Sequence, residues 1–458
     1  MTELSPEALN SLSREELIVL IVQLFAEVRE LRAEVERLKK PPTTSRNSSQ
    51  PPSRDQKTDL GTRRRHRRRG AKPGHPKAER PLSDHPTTVI EVRVTQCADC
   101  GAALQAVVPQ AVVRRQIVEL PVIQPVVIET RQQQVVCPQC HQVQHGPLPE
   151  GLEATRAFGP RLEATVTYLQ HQQHLSYERT QDALHDLFGV AVSEGGQACI
   201  LERAGQAATV EAETIRRQVV QSPVVGSDET GARVDGQTHW QWVFVGGDAI
   251  YHVIRASRGK DVIPEVFGDE QVPTWVCDCW SPQLKAPAER FQLCLAHQIR
   301  NLQGLLDRCP HLRWASELQA LFRTAIHLAK RRDQLTASGF QRRVKALEGQ
   351  LEQLLHRRVM TPAAQPLVKR YRKHRAHLFV FLHDPQVPWH NNACERALRP
   401  AVIHRKVTGG FRSQWGADAY AALATVIETA KLRAQPVFEK LVKLMGAPVL
   451  PYISRPSA

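Results

Sequence analysis

The sequence predicts a multidomain α+β protein, and three observations support this fold class. Its 458 residues exceed what one compact core usually holds, so roughly two to four domains are expected. A heptad pattern near the N-terminus predicts a long helix, and two Cys-x-x-Cys pairs farther along indicate a separate β-rich module. After residue 220, short apolar segments alternate with helical patterns, which is typical of an α/β domain.

Composition and charge indicate which kinds of molecule the chain binds. The chain is 41% hydrophobic and 23% charged, values that are ordinary for a folded globular protein. Its formal net charge of +15 favours a polyanionic partner, either nucleic acid or an anionic membrane. The longest apolar run, residues 17–22, is far shorter than the roughly 20 residues that cross a bilayer. Because the N-terminus also lacks the basic start and cleavage site of a signal peptide, a cytoplasmic protein is expected.

Residues 1–40 predict a leucine-zipper-like coiled coil. Leucines recur every seven residues and β-branched residues fill the other seam position; these are Leu17, Leu24, Leu31 and Leu38 with Ile21, Val28 and Val35. This combination favours a parallel two-stranded coiled coil, so the chain is expected to form a homo-oligomer. The alternative is an amphipathic helix that packs on its own chain.

Residues 41–82 predict a flexible basic linker that binds DNA. Residues 41–80 contain 12 Lys+Arg against 3 Asp+Glu, and they hold few apolar side chains that could build a core. Six arginines lie within seven positions: Arg63, Arg64, Arg65, Arg67, Arg68 and Arg69. Such a segment neutralises several phosphates at once, which gives salt-sensitive binding with little sequence preference. A solvated linker is the alternative.

Residues 83–150 are expected to form a β-rich, zinc-ribbon-like domain. Residues 89–94 and the stretch 126–136 alternate between apolar and polar side chains, as strands do. Two Cys-x-x-Cys pairs bracket this region: Cys97, Cys100, Cys137 and Cys140. Four thiolates suit one tetrahedral Zn²⁺, and a site closed by four sulfurs would be structural. Four unligated thiols are the alternative.

Residues 151–220 carry apolar positions at helical spacing and predict a helical linker domain. Gly189 is expected to end one helix, and Ser193 is expected to cap the next. Helix, short turn and helix resemble a helix-turn-helix that would read DNA, although a plain packing layer fits the same pattern.

Residues 221–297 predict the first part of an α/β catalytic core. Segments 224–230, 240–245 and 249–254 predict three strands, followed by a helix at 261–267 and a fourth strand at 274–278. This is the order of an RNase H-like domain, in which the acids on the first and fourth strands, Asp228 and Asp278, lie side by side. Two carboxylates held so close repel each other, and two Mg²⁺ or Mn²⁺ ions, which prefer oxygen ligands, relieve the repulsion.

A third acid is expected on a helix near the C-terminal end. Glu395 follows Asn391 and Asn392, either of which can cap a helix that begins there. Pro400 is expected to kink or end this helix. Four basic residues around the acid are expected to hold DNA phosphates: Arg396, Arg399, Arg405 and Lys406.

The remaining segments leave alternatives open. Residues 298–385 predict a helical insertion with a basic stretch, and residues 386–458 the C-terminal helical part of the core. Cys294 and His297 lie one helical turn apart, so they could assist the site or bind metal, whereas core packing is the alternative. Spacing alone does not choose the acids, because five others lie nearby: Glu229, Asp235, Asp248, Asp261 and Asp269.

The chain resembles DDE transposases of the insertion sequence sixty-six family nearly end to end. The most specific match is residues 391–400 (NNACERALRP), and the zipper, the Pro/Ser-rich stretch and the paired cysteines match as well. The resemblance implies that the family's three acids are Asp228, Asp278 and Glu395. It also implies that Cys294 and His297 belong to the family's Cys-x-x-His signature. Residues 279–284 depart from the segment that usually follows the second acid.

Together these observations predict a DNA transposase. It would bind the ends of its element as a multimer, hydrolyse a phosphodiester at each 3′ end and join the freed hydroxyl to target DNA by a two-metal DDE mechanism. The family would also imply companion proteins encoded by the same element, and action at the bacterial nucleoid. The alternatives are a catalytically inactive DNA-binding repressor and an RNase H-like nuclease without strand transfer.

Overall fold

The computed structural model describes residues 13–39, 44–48, 75, 80–148, 156–259 and 261–446, and for residues 32–39 it describes the backbone alone. The arginine run at 63–69 and most of the predicted linker lie outside the described residues. The chain divides into two compact units. The first comprises Met1–Thr58 with Ala208–Gln435, and the second comprises Asp59–Ala207 with Pro436–Ala458.

The predicted N-terminal helix is present as α1, Arg14–Lys39. A capping box fixes its start, because Glu16 N–H donates to Ser13 Oγ at 3.2 Å and Ser13 N–H donates to Glu16 Oε2 at 2.8 Å. Apolar side chains along the helix are exposed, among them Ile18, Ile21, Leu24, Phe25, Val28 and Leu31. Pairing of two chains through this exposed seam stays a prediction.

Two short strands, β1 (Gln134–Val136) and β2 (Val143–His145), pair antiparallel around the second Cys-x-x-Cys pair. The strand predicted at residues 89–94 is wrong, and of the stretch 126–136 only β1 forms a strand. Ile90 and Val92 are 82% and 91% exposed. Among the residues that the structure describes, no strand pairs with this segment, so the alternation alone does not produce a sheet.

Helices follow where the sequence predicts them: α2 (Pro160–Thr167), one π-helical turn (Tyr168–Gln172), α3 (Tyr177–Phe188) and α4 (Glu194–Val220). Both predicted caps are confirmed. Gly189 ends α3 with a φ of +64°, and Ser193 Oγ accepts the Gly196 N–H at 3.2 Å at the start of α4. In the second unit these helices enclose a small apolar core of Val166, Leu184, Val192 and Ile200. Their role in reading DNA stays a prediction.

The first unit is built on a five-stranded mixed sheet. Its strands are β3 (Val224–Val234), β4 (Gln237–Gly246), β5 (Ala249–Arg255), β6 (Val272–Cys277) and β7 (Ala288–Leu293). They lie in the order β5-β4-β3-β6-β7. Strands β3, β4 and β5 form an antiparallel meander, whereas β6 pairs parallel with β3 and β7 pairs parallel with β6. A short helix, α5 (Val262–Phe267), connects β5 to β6.

The predicted meander, connecting helix and fourth strand are confirmed, and β7 is an addition to them. Its sequence shows no clean alternation, because Glu289 and Arg290 are exposed and only Gln292 and Leu293 at its end are buried. An edge strand of this kind carries little periodic signal.

The stretch between β7 and the third predicted acid is helical, as expected. It contains α6 (Leu295–Arg308), α7 (Arg313–Lys330), α8 (Ala337–His356), α9 (Gln365–Lys373) and α10 (Val380–His383). Two long helices follow, α11 (Asn392–Thr408) and α12 (Gln414–Leu432), and then α13 (Val437–Leu444), which belongs to the second unit. In the part of the chain that the structure describes, no helix is long and apolar enough to cross a membrane.

The two faces of the sheet bury different groups. Aromatic rings fill one face: Trp242, Phe244, Phe267 and Trp275. On the other face α11 packs on β3 and β4, where Cys394, Ala397 and Leu398 contact Val243 and Ile250. The alternation of side chains along β3 therefore decides which of its residues face α11.

Strand β5 lies at the edge of the sheet, and α12 covers its outward backbone groups. Thr429 Oγ1 accepts the Ile250 N–H at 3.0 Å and donates to the Ile250 carbonyl at 3.1 Å. One helical turn earlier, Thr425 Oγ1 accepts the His252 N–H at 2.9 Å. These hydroxyls take the place of the missing neighbouring strand, so buried backbone groups of β5 have partners.

Candidate active site

The first two predicted acids lie on neighbouring parallel strands, Asp228 within β3 and Asp278 just after the end of β6. Strands β3 and β6 pair Val224 with Thr274, Val225 with Trp275 and Gly226 with Val276. Two residues farther along this register, Asp228 is level with Asp278, which follows the end of β6. Asp228 shares a face of the sheet with Gly226, where an added Cβ would lie 2.9 Å from Cys394 Sγ on α11. Asp228 therefore lies on the face that α11 covers.

The third predicted acid, Glu395, lies in the first turn of α11. Its Oε1 is 3.2 Å from Arg300 Nη2 and 3.6 Å from His297 Nε2, both of which belong to α6. His297 is 8% exposed, and its Nδ1 has no hydrogen-bond partner among the described residues. Arg300 was not identified from the sequence, although it follows His297 by one helical turn on the same helix.

Asn391 fastens the start of α11 to β3. It occupies the N-cap position, but its side chain does not cap the helix as predicted. Instead, Asn391 Nδ2 donates to the Ser227 carbonyl at 2.7 Å, and its backbone N–H donates to Cys294 Sγ at 3.2 Å. Because β6 stops pairing with β3 after Val276, the Asn391 amide supplies a donor where the strand ladder ends. This contact adjoins Asp228 and places Glu395 one helical turn away.

The pKa of Asp228 reflects the other acids around it. Burial raises the pKa of Asp228 well above its usual range, and the charges of Asp278, Glu229 and Glu395 raise it further. Carboxylates that repel one another are the donor set that hard divalent cations neutralise, so these residues fit Mg²⁺ or Mn²⁺. Within the described residues, however, no three acidic, His or Cys side chains converge in a coordinating arrangement, and Glu395 turns toward Arg300 and His297.

The structure separates Asp228 from its nearest competitor, Glu229. Neighbouring residues on a strand point to opposite faces, so Glu229 lies away from α11. Its side chain is only 2% exposed, and both carboxylate oxygens accept hydrogen bonds. Oε1 accepts from Arg258 Nε at 3.0 Å and Nη2 at 2.8 Å, and Oε2 accepts from Gln283 Nε2 at 2.6 Å. Both oxygens of Glu229 are therefore engaged by donors from the protein itself.

The four other competing acids lie in turns or beside helix α5. Asp235 is in the β3–β4 turn with a φ of +47°, and Asp248 is in the β4–β5 turn. Asp248 forms an ion pair with Arg433 at 3.1 Å. Asp261 precedes α5 and Asp269 follows it. The order of the strands, rather than the spacing of acids along the chain, distinguishes Asp228 and Asp278 from them.

Helix α11 extends basic residues from the acid along one face. It does not end at Pro400, contrary to one of the two expectations, because the buried side chains of Ala397, Leu398 and Ala401 hold it against the sheet. The unbroken helix places Lys406 within about 20° of the direction of Glu395 and roughly 16 Å along the axis. Arg396, Arg399 and Lys406 are exposed. Arg405 instead donates to the Gly231 carbonyl of β3, so it has a role within the fold.

The residues that follow α11 fasten the other end of β3. Phe411 N–H donates to the Arg233 carbonyl at 2.8 Å, and Asp235 N–H donates to the Phe411 carbonyl at 2.9 Å. Phe411 forms a parallel bridge with Val234. Strand β3 is thus joined to α11 at one end by Asn391 and at the other by Phe411.

The two Cys-x-x-Cys pairs of the second unit adopt the same turn. Gly101 N–H donates to the Cys97 carbonyl at 3.0 Å, and His141 N–H donates to the Cys137 carbonyl at 2.9 Å. Gly101 and His141 both have positive φ, +73° and +57°. Backbone N–H groups lower the pKa of the first thiol in each pair, which favours the thiolate that binds zinc. The four cysteines are described, yet they do not form a closed group of ligands in this structure.

Comparisons with known proteins match most of the chain. A family model described as "Transposase IS66 family" matches residues 156–419, and one described as "zinc-finger binding domain of transposase IS66" matches residues 95–141. A third, for a family of unknown function, matches residues 4–81. The chain is 24% identical over 348 residues to the uncharacterized protein y4hP of Sinorhizobium fredii. That alignment covers 67% of this chain and 62% of the relative, so the chain spans less than two thirds of the relative's length.

Proposed function

The chain belongs to the IS66 family of transposases, and from this premise we propose that it cleaves DNA at the 3′ ends of its element and joins those ends to target DNA. One observation supports the proposal: Asp228 is level with Asp278 on neighbouring strands, and Glu395 lies in the first turn of α11, which packs on the face of β3 that carries Asp228. All three lie within the matched residues 156–419. The strand order of the first unit supports the RNase H-like interpretation of this core.

Asp228, Asp278 and Glu395 would hold two Mg²⁺ or Mn²⁺ ions. Bound there, the ions would supply the charge that activates water or a 3′-hydroxyl and stabilises the leaving oxygen. The protein itself positions the ligands. Asn391 fixes Glu395 relative to Asp228 through the Ser227 carbonyl. No covalent protein–DNA intermediate is expected, because no nucleophilic side chain is required.

Further residues of the first unit would bind the DNA backbone. Arg396, Arg399 and Lys406 are exposed along α11, on the helix that carries Glu395. Each exposed cation neutralises a phosphate and releases a counterion, so binding by this face weakens steeply with salt. Arg405 would support this surface indirectly, by holding α11 against Gly231.

The other regions would assemble the complex. Exposed apolar residues of α1 would pair two chains, and the arginines at 63–69 would add sequence-independent affinity for DNA. One structural Zn²⁺ bound by Cys97, Cys100, Cys137 and Cys140 would bring the two matching turns together. Companion proteins of the element would take part, and the protein would act in the cytoplasm at the nucleoid.

The decisive experiment is Mg²⁺-dependent cleavage and strand transfer on DNA that carries the ends of the element. The Asp228→Asn variant is expected to lose both activities by at least about a thousandfold, because one shared ligand supports both steps. Asp235→Asn, a change in the exposed β3–β4 turn, is the matched control and keeps both. Undiminished activity of Asp228→Asn rejects the proposed triad.

The same assay separates the alternatives. A nuclease without strand transfer would cleave the ends and leave the freed hydroxyl unjoined. A repressor would bind the end DNA and show no metal-dependent cleavage by the wild-type chain. The interacting acids favour an enzyme over a repressor, since a protein that only binds DNA gains nothing from clustered carboxylates that repel phosphate.

A further inference from the structure

Asp278 lies where strand geometry no longer controls its carboxylate. Strand β6 ends at Cys277, and the following Cys279 has a φ of +85°, a backbone conformation that a residue with a side chain seldom adopts. Asp278 Oδ1 accepts the Trp280 N–H at 2.8 Å. The orientation of this carboxylate therefore depends on what holds residues 279–283 in place.

Trp280 is held by Arg258, which comes from the segment between β5 and α5. The guanidinium carbon lies 4.2 Å from the centre of the Trp280 ring and 4.5 Å from the centre of the Trp240 ring. Trp240 belongs to β4, so the stacked group connects the loop after β6 to the sheet. Arginine stacks well in this way because its planar charge interacts favourably with aromatic faces.

Arg258 is in turn held by the buried Glu229. Two guanidinium nitrogens donate to Glu229 Oε1, and Gln283 Nε2 donates to Oε2. Gln283 is fully buried and belongs to the same loop as Asp278. Glu229 thus anchors the loop twice, through Gln283 directly and through Arg258 and the Trp280 ring.

We propose that Glu229, Arg258, Trp280 and Gln283 form a clamp that positions Asp278 for metal binding. The inference rests on the proposed function, and it makes these four positioning residues rather than catalytic ones. It assigns a role to residues 279–284, the segment that departs from the family pattern. With Arg258 removed, the loop loses its link to β4, and Asp278 occupies its metal-binding orientation only part of the time.

The test measures Mn²⁺ binding by electron paramagnetic resonance on the full chain without DNA. Arg258→Ala is expected to weaken Mn²⁺ binding about tenfold with the affinity for DNA near wild type. Because the variant leaves the buried Glu229 without its charged partner, its melting temperature is expected to fall, and Mn²⁺ binding is measured at a temperature where the chain is folded. Arg258→Lys keeps the charge but loses the planar stack and one donor, so its Mn²⁺ affinity is expected to lie between those of the wild type and Arg258→Ala. Arg255→Ala is the matched control, because Arg255 is similarly exposed and pairs with Glu265 and Asp418 away from the acids.

A steady-state experiment adds an independent readout. In strand cleavage, Arg258→Ala is expected to raise the Mg²⁺ concentration for half-maximal rate about tenfold, with the KM for DNA unchanged. Three results would overturn the clamp. Arg258→Ala could bind Mn²⁺ as tightly as the wild type, Arg255→Ala could lose as much Mn²⁺ affinity as Arg258→Ala, or the wild-type chain could bind no Mn²⁺. Weakened Mn²⁺ binding in a chain that neither cleaves nor joins DNA overturns the proposed function and leaves the clamp standing.

Discussion

Replacing Asn391 by alanine tests whether the contact between α11 and β3 holds the candidate site together. The asparagine is 3% exposed, and its Nδ2 is the donor to the Ser227 carbonyl at 2.7 Å. Without it, a carbonyl in a buried position loses its partner, which costs about 1–3 kcal/mol. For a unit of this size that loss lowers the melting temperature by about 2–12 °C.

The matched control is the next residue along the same helix. Asn392 is half-buried, and its backbone N–H, rather than its side chain, contacts His390. Asn392→Ala is therefore expected to change stability by no more than about 0.5 kcal/mol. Both variants are unfolded with urea and monitored by tryptophan fluorescence, which reports on the buried Trp242 and Trp275. Only Asn391→Ala is expected to lower the urea concentration at which half the protein is unfolded, and the dependence of the unfolding free energy on urea is expected to stay the same.

The functional consequence is measured on the same two proteins. Asn391→Ala lets the first turn of α11 shift relative to β3, so strand cleavage is expected to fall more than tenfold at temperatures where the protein is folded. A misplacement of about 1 Å is sufficient for a hundredfold loss. Equal stability of the two variants would refute the assignment of a buried hydrogen bond. Lower stability with full activity would refute the link between this contact and Glu395.

Thr429→Val removes two hydrogen bonds to Ile250 of β5 and is expected to lower the free energy of unfolding in urea by about 2–4 kcal/mol. Thr425→Val removes one hydrogen bond to His252 and is expected to lower it by about 1–3 kcal/mol. Equal small losses in the two variants would contradict this role of the threonines. Burial lowers the pKa of His252 to about 3, so the unfolded state takes up a proton first as the pH falls. Between pH 7 and pH 5 this histidine is expected to lower the free energy of unfolding by about 2 kcal/mol, and His252→Leu is expected not to show that decrease. If the stability of His252→Leu depended on pH as the wild type does, the prediction would be wrong. Cys100→Ser is expected to lower bound zinc below one ion per chain, as measured with a colorimetric chelator, whereas Cys199→Ser keeps it; matching zinc contents would reject the site.

The sequence predicted β3 to β6 because each of these strands is largely apolar and bounded by turns, whereas β7 has exposed charged residues and gave no such signal. It could not choose between Asp228 and Glu229. Both end the same apolar segment, and only the helix that packs on one face of the sheet distinguishes them. The family resemblance selected Asp228, and the alternation of side chains in β3 agrees with that choice.

Other predictions depended on partners that a sequence pattern does not contain. Residues 89–94 alternate as a strand does, but no strand in the described part of the chain pairs with them. Pro400 would end an isolated helix, but packing on the sheet carries α11 through to Thr408. The ion pair between Arg258 and Glu229 joins residues 29 positions apart, and neither has a spacing that indicates the other. In each case tertiary contacts overrode or supplemented the local signal.

The attachment of α11 at both ends of β3 has a mechanical consequence. Asn391 and Phe411 join the helix to the strand at two points, one near Ser227 and one at Arg233 and Asp235. These two attachments fix the backbone that carries Glu395 relative to the backbone that carries Asp228. Asp278 is held in another way, through the contacts of the loop after β6 with Glu229 and Arg258. Bringing the three carboxylates onto a metal therefore requires the Glu395 side chain to leave Arg300 and His297, whereas the backbones of β3 and α11 keep their places.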